Sequence, residues 1–408
     1  MQQTLKNYYH LLQSVLANVY YGFPSRKLKI IGVTGTDGKT TTTHLIYHIL
    51  KSAGKKVSMV SSVYANIAGK TYDIGFHVTT PDVFPLQKYL RQSVDSGDEY
   101  FVLETTSHAL TQNRNSLIKY EAALVTNITH EHLDFHKVYE EYVRSKAILL
   151  KNAIISLLNV DDRSFPLLKN LIKKNYFTYG LINKADFQFD IGVKYNLKLA
   201  KFNKYNYLAA YALCTKLNIG EKFISKALRS FVLPPGRLEI VVNKPIMVII
   251  DFAHTPNALH EVLSEVREEF ITGTHRLIHV FGSAGKRDQS KRPLMGAESA
   301  RYADKIILTE EDYRDEDLYK ICREIATGIE KKGFKLTNSN SSNISNKSYL
   351  IEINRKKAIE IAIKITIPGD VVILTGKSHE KSLCRGKTEY PWNEKQVVLD
   401  ALKKYDRL

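Results

Sequence analysis

The residues with the plainest chemical capacity are Thr34-Gly35-Thr36-Asp37-Gly38-Lys39-Thr40-Thr41. Glycines allow successive backbone N–H groups to turn toward phosphate oxygens. The N-terminus of a helix starting there adds a favourable field for an anion. Lys39 is placed to reach the β- and γ-phosphates of a nucleoside triphosphate, and the Thr40 hydroxyl suits a phosphate-bound Mg²⁺. The strict phosphate-loop pattern has a glycine five residues before Gly38, where this chain has Val33. The loop is therefore a variant, and an ordinary strand-to-helix turn is the bland alternative.

Five further stretches could carry chemistry. Glu104-Thr105-Thr106-Ser107-His108 follows an apolar run, where the carboxyl end of a parallel strand presents ligand groups. Glu104 there could coordinate Mg²⁺. Thr126 to His136 contains His130, His132 and His136 with Glu131 and Asp134. Zinc is one reading of that cluster. No thiolate lies near it and Mg²⁺ is already implied by the loop, so a Mg²⁺ role for one histidine is preferred. Lys146, within Tyr142-Val143-Arg144-Ser145-Lys146-Ala147, is locally indistinguishable from a solvated helix lysine. Gly236-Arg237-Leu238-Glu239 and Asp251-Phe252-Ala253-His254-Thr255-Pro256 sit at a domain junction. Gly282 to Asp288, Lys291-Arg292-Pro293 and Gly376-Lys377-Ser378-His379-Glu380 each follow or adjoin an apolar strand. Arg287 and Arg314 could clamp a carboxylate as bidentate forks.

These residues need a scaffold, and the hydrophobic pattern supplies one. From Lys29 onward short β-type runs alternate with helical stretches, the mark of a mostly parallel sheet covered by helices. Strands are expected at 57–63, 100–103, 122–126 and 153–159, with helices at 39–53 and 137–151. Thr80-Pro81 reads as a helix start. Residues 176–200 are aromatic and alternating, which predicts an antiparallel addition. Helices at 205–217 and 221–231 lead to Pro234-Pro235-Gly236, a natural boundary. A second, smaller α/β domain follows, and 337–348 reads as a polar surface loop. Residues 4–19 space Leu5, Leu12, Val15, Leu16 and Val19 as a helix packed on the next domain. The expected division is 1–28, a helix and linker; 29–236, a nucleotide-binding domain; and 237–408, a Rossmann-like domain.

Composition narrows the function classes. The chain has 408 residues, with 44% hydrophobic and 25% charged residues, the range of globular proteins. Cys214, Cys322 and Cys384 are widely spaced, which argues against disulfides or a zinc site and suits the cytoplasm. No apolar run reaches membrane-spanning length, so no membrane insertion is expected. The net charge of +17 is spread evenly rather than gathered in a block. It suits an anionic small substrate better than nucleic acid.

Taken together, the stretches resemble the Mur ligase family, and within it the branch adding the third residue of the peptidoglycan stem peptide. The resemblance runs from Tyr21 to the C-terminus. Its motifs occur in order: the 34–41 loop, Thr79-Thr80-Pro81, Ser107-His108-Ala109-Leu110, His132 to His136, Asn203 and Asn206, Gly236-Arg237, Asp251 to Pro256, Lys291-Arg292-Pro293 and Gly376 to Glu380. The resemblance implies that Gly35 to Thr41 bind ATP, with Asn203, Asn206, Arg237 and Asp251 contacting adenine or ribose. It implies Mg²⁺ ligation by Thr40, Glu104, His132 and Lys146, the lysine carrying a carbamate formed with CO₂. Thr79, Thr80, Thr106, Gln112 and Arg114 would hold the muramoyl-peptide acceptor, and Arg287, Arg314, Gly376 and Glu380 the incoming amino acid. His254 would lie near the phosphates and act with Lys39 and Lys146 in catalysis. The implied reaction activates a carboxylate as an acyl phosphate and captures it with an amine. Closure of the second domain would exclude water.

Three departures shape the expectation. The family's N-terminal domain, about one hundred residues on the scale of an ordinary domain, grips the UDP end of the substrate. It has no counterpart in the stretch before Lys29, which leaves room for a separate UDP-binding chain. The selector Asp-Asn-Pro-Arg of the diaminopimelate branch is here Glu311-Asp312-Tyr313-Arg314, and Gly-Lys-Gly-His-Glu has become Gly-Lys-Ser-His-Glu. The retained arginine leans toward a substrate with a distal carboxylate. A folylpolyglutamate-synthase-like ligase and an inactive nucleotide-binding partner subunit are the competing readings.

Overall fold

The computed structural model describes residues 2–75, 78–129, 138–173, 176–337 and 347–407. Among these the chain divides into two compact units, one ending at Val232 and the other beginning at Leu233.

The first unit holds β1 (Lys29–Thr34), β2 (Val57–Val60), β3 (Ala65–Ile67), β4 (Lys70–Tyr72) and β5 (Tyr100–Glu104). It continues through β6 (Tyr120–Val125), β7 (Ala153–Asn159), β8 (Tyr176–Gly180) and β9 (Phe187–Gln188). They form one nine-stranded sheet in the order β4-β3-β2-β5-β1-β6-β7-β8-β9. All neighbours are parallel except β3 and β4, an antiparallel edge. Ile31 and Val33 join a hydrophobic cluster with Leu45, Ile46 and Leu208. Ile30 joins another with Leu86, Leu90 and Tyr142. Both faces of β1 are therefore covered, which is why the strand reads as a continuous apolar run. The order reverses around β1, so the carboxyl ends of β1, β5 and β6 open one shared crevice.

The second unit holds β10 (Glu239–Val242), β11 (Met247–Asp251), β12 (Leu277–Phe281), β13 (Lys305–Leu308) and β14 (Lys335–Leu336). β15 (Ser348–Ile351) and β16 (Val371–Thr375) complete its sheet, in the order β10-β11-β16-β12-β13-β15-β14. β10 alone runs antiparallel. A separate hairpin, β17 (Ser382–Arg385) with β18 (Thr388–Pro391), follows β16. The mixed α/β architecture expected from the alternating pattern is present in both units.

Several local expectations differ from the structure. Residues 176–200 extend the sheet in parallel, through β8 and β9, and then form the helix Ile191–Tyr195. The chain reaches β8 by a crossover through the helix Phe165–Leu171, and such a crossover delivers a parallel strand. The helix expected at Thr80-Pro81 begins instead at Val83, with Asp82 at its N-cap position. Thr80 is buried elsewhere, hydrogen-bonded to the end of β5. The strand expected through Val63 stops at Val60, because the chain turns so that Ser62 meets Glu104. The N-terminal helix, Gln2–Tyr20, packs by its small polar face of Ser14, Ala17 and Asn18. Leu12, Val15, Leu16 and Val19, expected to pack inward, are exposed together with Tyr8, Tyr9 and Tyr20. Ser14 Oγ donates to Asn113 O at 2.8 Å and fixes that orientation.

One buried titratable group makes stability depend on pH. His279 in β12 is fully buried, with Nδ1 2.8 Å from Ser299 Oγ and Nε2 2.9 Å from Thr375 Oγ1. Burial, aided by the charge of Arg355, pushes its pKa down to about 3. The folded pKa lies below the unfolded one, so the unfolded state takes up the proton first. This contribution is intact above pH ~6.5 and is lost as pH falls toward 3. Urea unfolding followed by Trp392, the single tryptophan, should show it. His279→Gln should flatten the stability loss between pH 6.5 and 4.5 by up to about 1.4 kcal/mol per pH unit. Parallel curves for the two proteins would contradict this source of acid sensitivity.

Candidate active site

At the carboxyl end of β1 the chain turns through Gly35–Gly38 into the helix Lys39–Ser52. Gly38 has φ +78°, and a Cβ there would overlap Asn206 Oδ1. A Cβ on Gly35 would likewise strike the Thr126 hydroxyl. The loop is clamped from the end of β6. Thr36 N donates to Asn127 O at 2.8 Å, and Asp37 N to Asn127 Oδ1 at 2.9 Å. The Thr126 hydroxyl donates to Asp37 O at 2.6 Å. Lys39 Nζ donates to Thr36 O at 2.7 Å, which folds the ammonium over the loop. Thr40 and Thr41 are buried in the first helical turn. From the helix Lys201–Lys216, Asn206 accepts from the Thr42 hydroxyl at 3.3 Å and donates to Asn203 Oδ1 at 3.1 Å. Asn206 thus lies against Gly38, and Asn203 stands behind it.

Glu104 ends β5 and is almost completely buried, at 1% exposure. The Thr40 hydroxyl donates to its Oε1 at 3.1 Å, and Ser62 N to its Oε2 at 2.9 Å. Ser62 Oγ lies 2.9 Å from Thr40 Oγ1. The main-chain carbonyl of the same Glu104 accepts from the Thr80 hydroxyl at 3.1 Å. Thr80 Oγ1 in turn accepts from Thr106 N at 3.0 Å. Arg114 Nη1 donates to Thr80 O at 3.1 Å and to Asp82 Oδ1 at 2.9 Å. Thr106 caps the short helix Ser107–Thr111, and Gln112 is its C-cap residue. Thr79 adjoins this group through the chain. Of the residues expected to serve phosphate, metal and acceptor, Thr40 meets the Glu104 carboxylate and Thr80 its carbonyl, while Thr106 and Arg114 join Thr80.

Lys146 is buried in the helix Tyr139–Lys151, contrary to the bland reading of its sequence context. Its Nζ donates to Gly35 O at 2.7 Å and lies 4.5 Å from the Tyr142 ring centre. His132 falls outside the described residues. Thr40, Ser62 and Glu104 supply hard oxygen donors, the set that Mg²⁺ takes. The described residues therefore fit that ion.

In the second unit the candidate residues gather at the carboxyl ends of the parallel strands. Asp251 ends β11; its Oδ1 accepts from Ala253 N and its Oδ2 from Leu238 N, each at 2.8 Å. Arg237 lies over the Phe252 ring at 4.7 Å, and His379 lies on the same ring at 4.9 Å. His254 Nδ1 is 2.9 Å from Phe252 O, and His254 O accepts from Lys291 Nζ at 2.9 Å. Arg314 adopts φ +56° and donates through Nη1 to Gly285 O at 2.6 Å. Arg287 is exposed in the loop after β12. Lys377 Nζ donates to both Asp312 oxygens, at 2.9 and 3.0 Å, and to Glu380 Oε2 at 2.6 Å. Burial alone would lower its pKa, and the two carboxylates outweigh burial and hold the ammonium charged.

Glu311 is buried beside Gly376, where an added Cβ would lie 2.7 Å from Glu311 Oε2. That oxygen has no hydrogen-bond partner among the described residues. Burial raises the Glu311 pKa and Asp312 adds to it, against the pull of His254, Lys291 and Lys377. An unpaired buried acceptor of this kind is open to a donor from water, an ion or a ligand. Ser378 occupies a left-handed conformation at φ +51° and donates to Gly236 O at 3.0 Å. The serine that departs from the family's glycine thus ties the 236–237 turn to the loop after β16.

Sequence reasoning missed the clamping roles of Thr126 and Asn127, the part of Ser62, and the open oxygen of Glu311. Only Thr126-Asn127 carried a sequence signal, as polar residues directly after a buried strand.

Comparisons with known proteins bear on the family and the fold. Residues 33–217 match the family model described as Mur ligase middle domain. Residues 236–378 match that of Mur ligase, glutamate ligase domain. A UDP-N-acetylmuramoyl-L-alanyl-D-glutamate–2,6-diaminopimelate ligase of Clostridium acetobutylicum is 35% identical, over 96% of this chain and 81% of its own length. A UDP-N-acetylmuramyl-tripeptide synthetase of Borreliella afzelii is 38% identical, over 95% of this chain and 80% of its own. A Mycobacterium tuberculosis folylpolyglutamate synthase, solved with ADP and AMPPCP, superposes with a TM-score of 0.69. The match covers 90% of this chain and 92% of that one at 14% identity, a likeness of fold.

The loop geometry gives a direct test. Gly38→Ala brings a Cβ onto Asn206 Oδ1 and costs on the order of 1 kcal/mol for a left-handed alanine. Calorimetric titration should show ADP binding weakened at least about tenfold, equivalent to ~1.4 kcal/mol. Wild-type affinity in Gly38→Ala would mean that the nucleotide binds elsewhere.

Proposed function

The chain belongs to the Mur ligase family, an ATP-using family of amide-forming ligases, and we propose specific roles for its residues in that reaction. The reading is that it adds the third stem-peptide amino acid to a UDP-muramoyl-dipeptide. One observation carries it: Glu104 meets Thr40 through its carboxylate and Thr80 through its carbonyl. The nucleotide's terminal phosphate and the acceptor's carboxylate are thereby directed to the same place.

The steps suit the residues. The acceptor carboxylate attacks the γ-phosphorus of ATP, giving an acyl phosphate and ADP. Lys39 and the loop N–H groups hold the phosphates and offset the developing charge, while Thr80, Thr106 and Arg114 orient the acceptor. Mg²⁺ held at Thr40 and Glu104 would neutralise charge on the transferring group. The amine of the incoming amino acid then attacks the acyl carbon, the proton leaves the nitrogen, and phosphate departs as the amide forms. Arg287, Arg314, Gly376 and Glu380 are proposed to receive that amino acid, with Glu311 Oε2 accepting from its ammonium group. His254 is assigned to the phosphates, and Asn203, Asn206, Arg237 and Asp251 to the nucleoside. Lys146, once its ammonium has given up a proton, is proposed to add CO₂ through Nζ and release a second proton, leaving a carbamate whose anionic oxygens would serve as ligands; His132 would complete the set.

No helix among the described residues is long and apolar enough to cross a membrane, and a nucleotide-sugar substrate places the work in the cytoplasm. The comparisons lend no support to a separate UDP-binding chain, and none is proposed. The likeness to folylpolyglutamate synthase is one of fold, whereas identities of 35% and 38% lie with the cell-wall enzymes.

Phosphate release with ATP and UDP-muramoyl-L-alanyl-D-glutamate, screened over diaminopimelate, lysine and ornithine, tests the reading. Turnover should require acceptor and a diamino acid together. Turnover only with dihydrofolate and glutamate, or ADP binding without turnover on any acceptor, would overturn it. Lys146→Ala should lose at least about a hundredfold, the upper range for a metal-site residue. Wild-type activity should fall on removing bicarbonate and return on restoring it, while the variant stays insensitive.

A further inference from the structure

Arg355, at the start of the helix Arg355–Lys364, is fully buried yet lies outside every group assigned so far. Its Nη1 donates to Glu310 O at 3.2 Å, and its Nη2 to Thr375 O at 2.8 Å. These carbonyls belong to the residues directly before Glu311–Arg314 and Gly376–Glu380. β13 and β16, which deliver the two segments, are not neighbours, because β12 lies between them. The guanidinium therefore links two segments that leave the sheet from non-adjacent strands. Only a long side chain with a planar fork reaches both carbonyls at once. The fork is anchored from behind. Glu394 accepts from Nε at 2.9 Å and from Nη2 at 2.5 Å, and is itself held by Trp392 Nε1 at 2.7 Å. Glu310 also accepts from the Arg355 main-chain N–H at 3.1 Å and from Arg385 at 2.7 and 2.8 Å. On the ligand side the two segments come so close that a Cβ on Gly376 would lie 2.7 Å from Glu311 Oε2.

We propose that Arg355 is the positioning residue of the incoming amino acid's site, fixing the separation of the Glu311–Arg314 and Gly376–Glu380 segments by clamping the carbonyl before each. The proposal rests on the ligase reading above. It separates the two half-reactions, because activation of the carboxylate uses the first unit's loop and capture of the acyl group uses the segments that Arg355 spaces. A lysine retains the charge, but its three donors radiate from a single nitrogen, so it lacks the planar fork that meets both carbonyls while its Nε and Nη2 edge is held by Glu394.

The test uses the full chain with ATP and UDP-muramoyl-dipeptide, and two nucleophiles. Hydroxylamine traps the acyl phosphate as a hydroxamate without needing the amino-acid site; the preferred diamino acid does need it. Arg355→Lys should form hydroxamate within twofold of wild type at an unchanged KM for ATP. Its KM for the amino acid should rise at least tenfold. Glu394→Gln keeps the guanidinium but loosens its anchor, and should show the same split at about threefold, which serves if Arg355→Lys does not fold. Equal losses in both assays, or an unchanged amino-acid KM in a folded variant, would overturn the proposal. No hydroxamate and no amide from the wild-type chain would overturn the ligase reading itself, and the proposal with it.

Discussion

A carboxylate buried at the end of a β-strand is costly unless donors meet it, and the first unit is arranged around meeting Glu104. The Thr40 hydroxyl and Ser62 N supply two donors, and both come from segments that had to be brought there. β2 stops short so that Ser62 can turn in, and the phosphate loop delivers Thr40 at the first turn of its helix. The Glu104 carbonyl takes the Thr80 hydroxyl. One residue thus joins the phosphate loop to Thr80. The clamp of Thr126 and Asn127 then fixes the loop, and Lys146 reaches its Gly35 carbonyl from the opposite helix.

The second unit solves a different problem with the same architecture. Its parallel strands present loops rich in charge, and those charges are paired before any ligand arrives. Lys377 is neutralised by Asp312 and Glu380, Arg292 by Glu316 and Glu324, and Arg355 by Glu394. Breaking such a buried pair leaves an uncompensated charge and is strongly destabilising, so the loops hold definite positions. Glu311 differs from these pairs, being buried with one oxygen open beside Gly376. The excess of positive charge over the whole chain, +17, favours the approach of the anionic substrates that this family uses.

Much of this was legible in the sequence, for local reasons. A loop whose glycines, lysine and threonine act within a few residues of one another announces itself, and Glu104 was found because it directly follows an apolar strand. The alternation of strands and helices gave both sheets. What was hidden depends on contacts distant in the chain. Asn127 binds a main-chain N–H 90 residues away, and Arg355 meets Glu310 across 45. Nothing local marked Lys146, whose importance entered only through family resemblance. The direction of β8 depends on its crossover rather than on its own residues, so an aromatic alternating pattern could not reveal it. The N-terminal helix was oriented wrongly because its apolar stripe was assumed to pack; Ser14, Ala17 and Asn18 make the contact instead.

In the proposed reaction Glu104 and the loop bring an acceptor carboxylate to the γ-phosphate, so that an acceptor oxygen passes to phosphate in each turnover. Labelling that carboxylate with ¹⁸O and analysing the released phosphate by mass spectrometry tests this directly. One ¹⁸O atom should appear in each phosphate formed, in step with the amide. Amide accumulating alongside unlabelled phosphate would contradict the account.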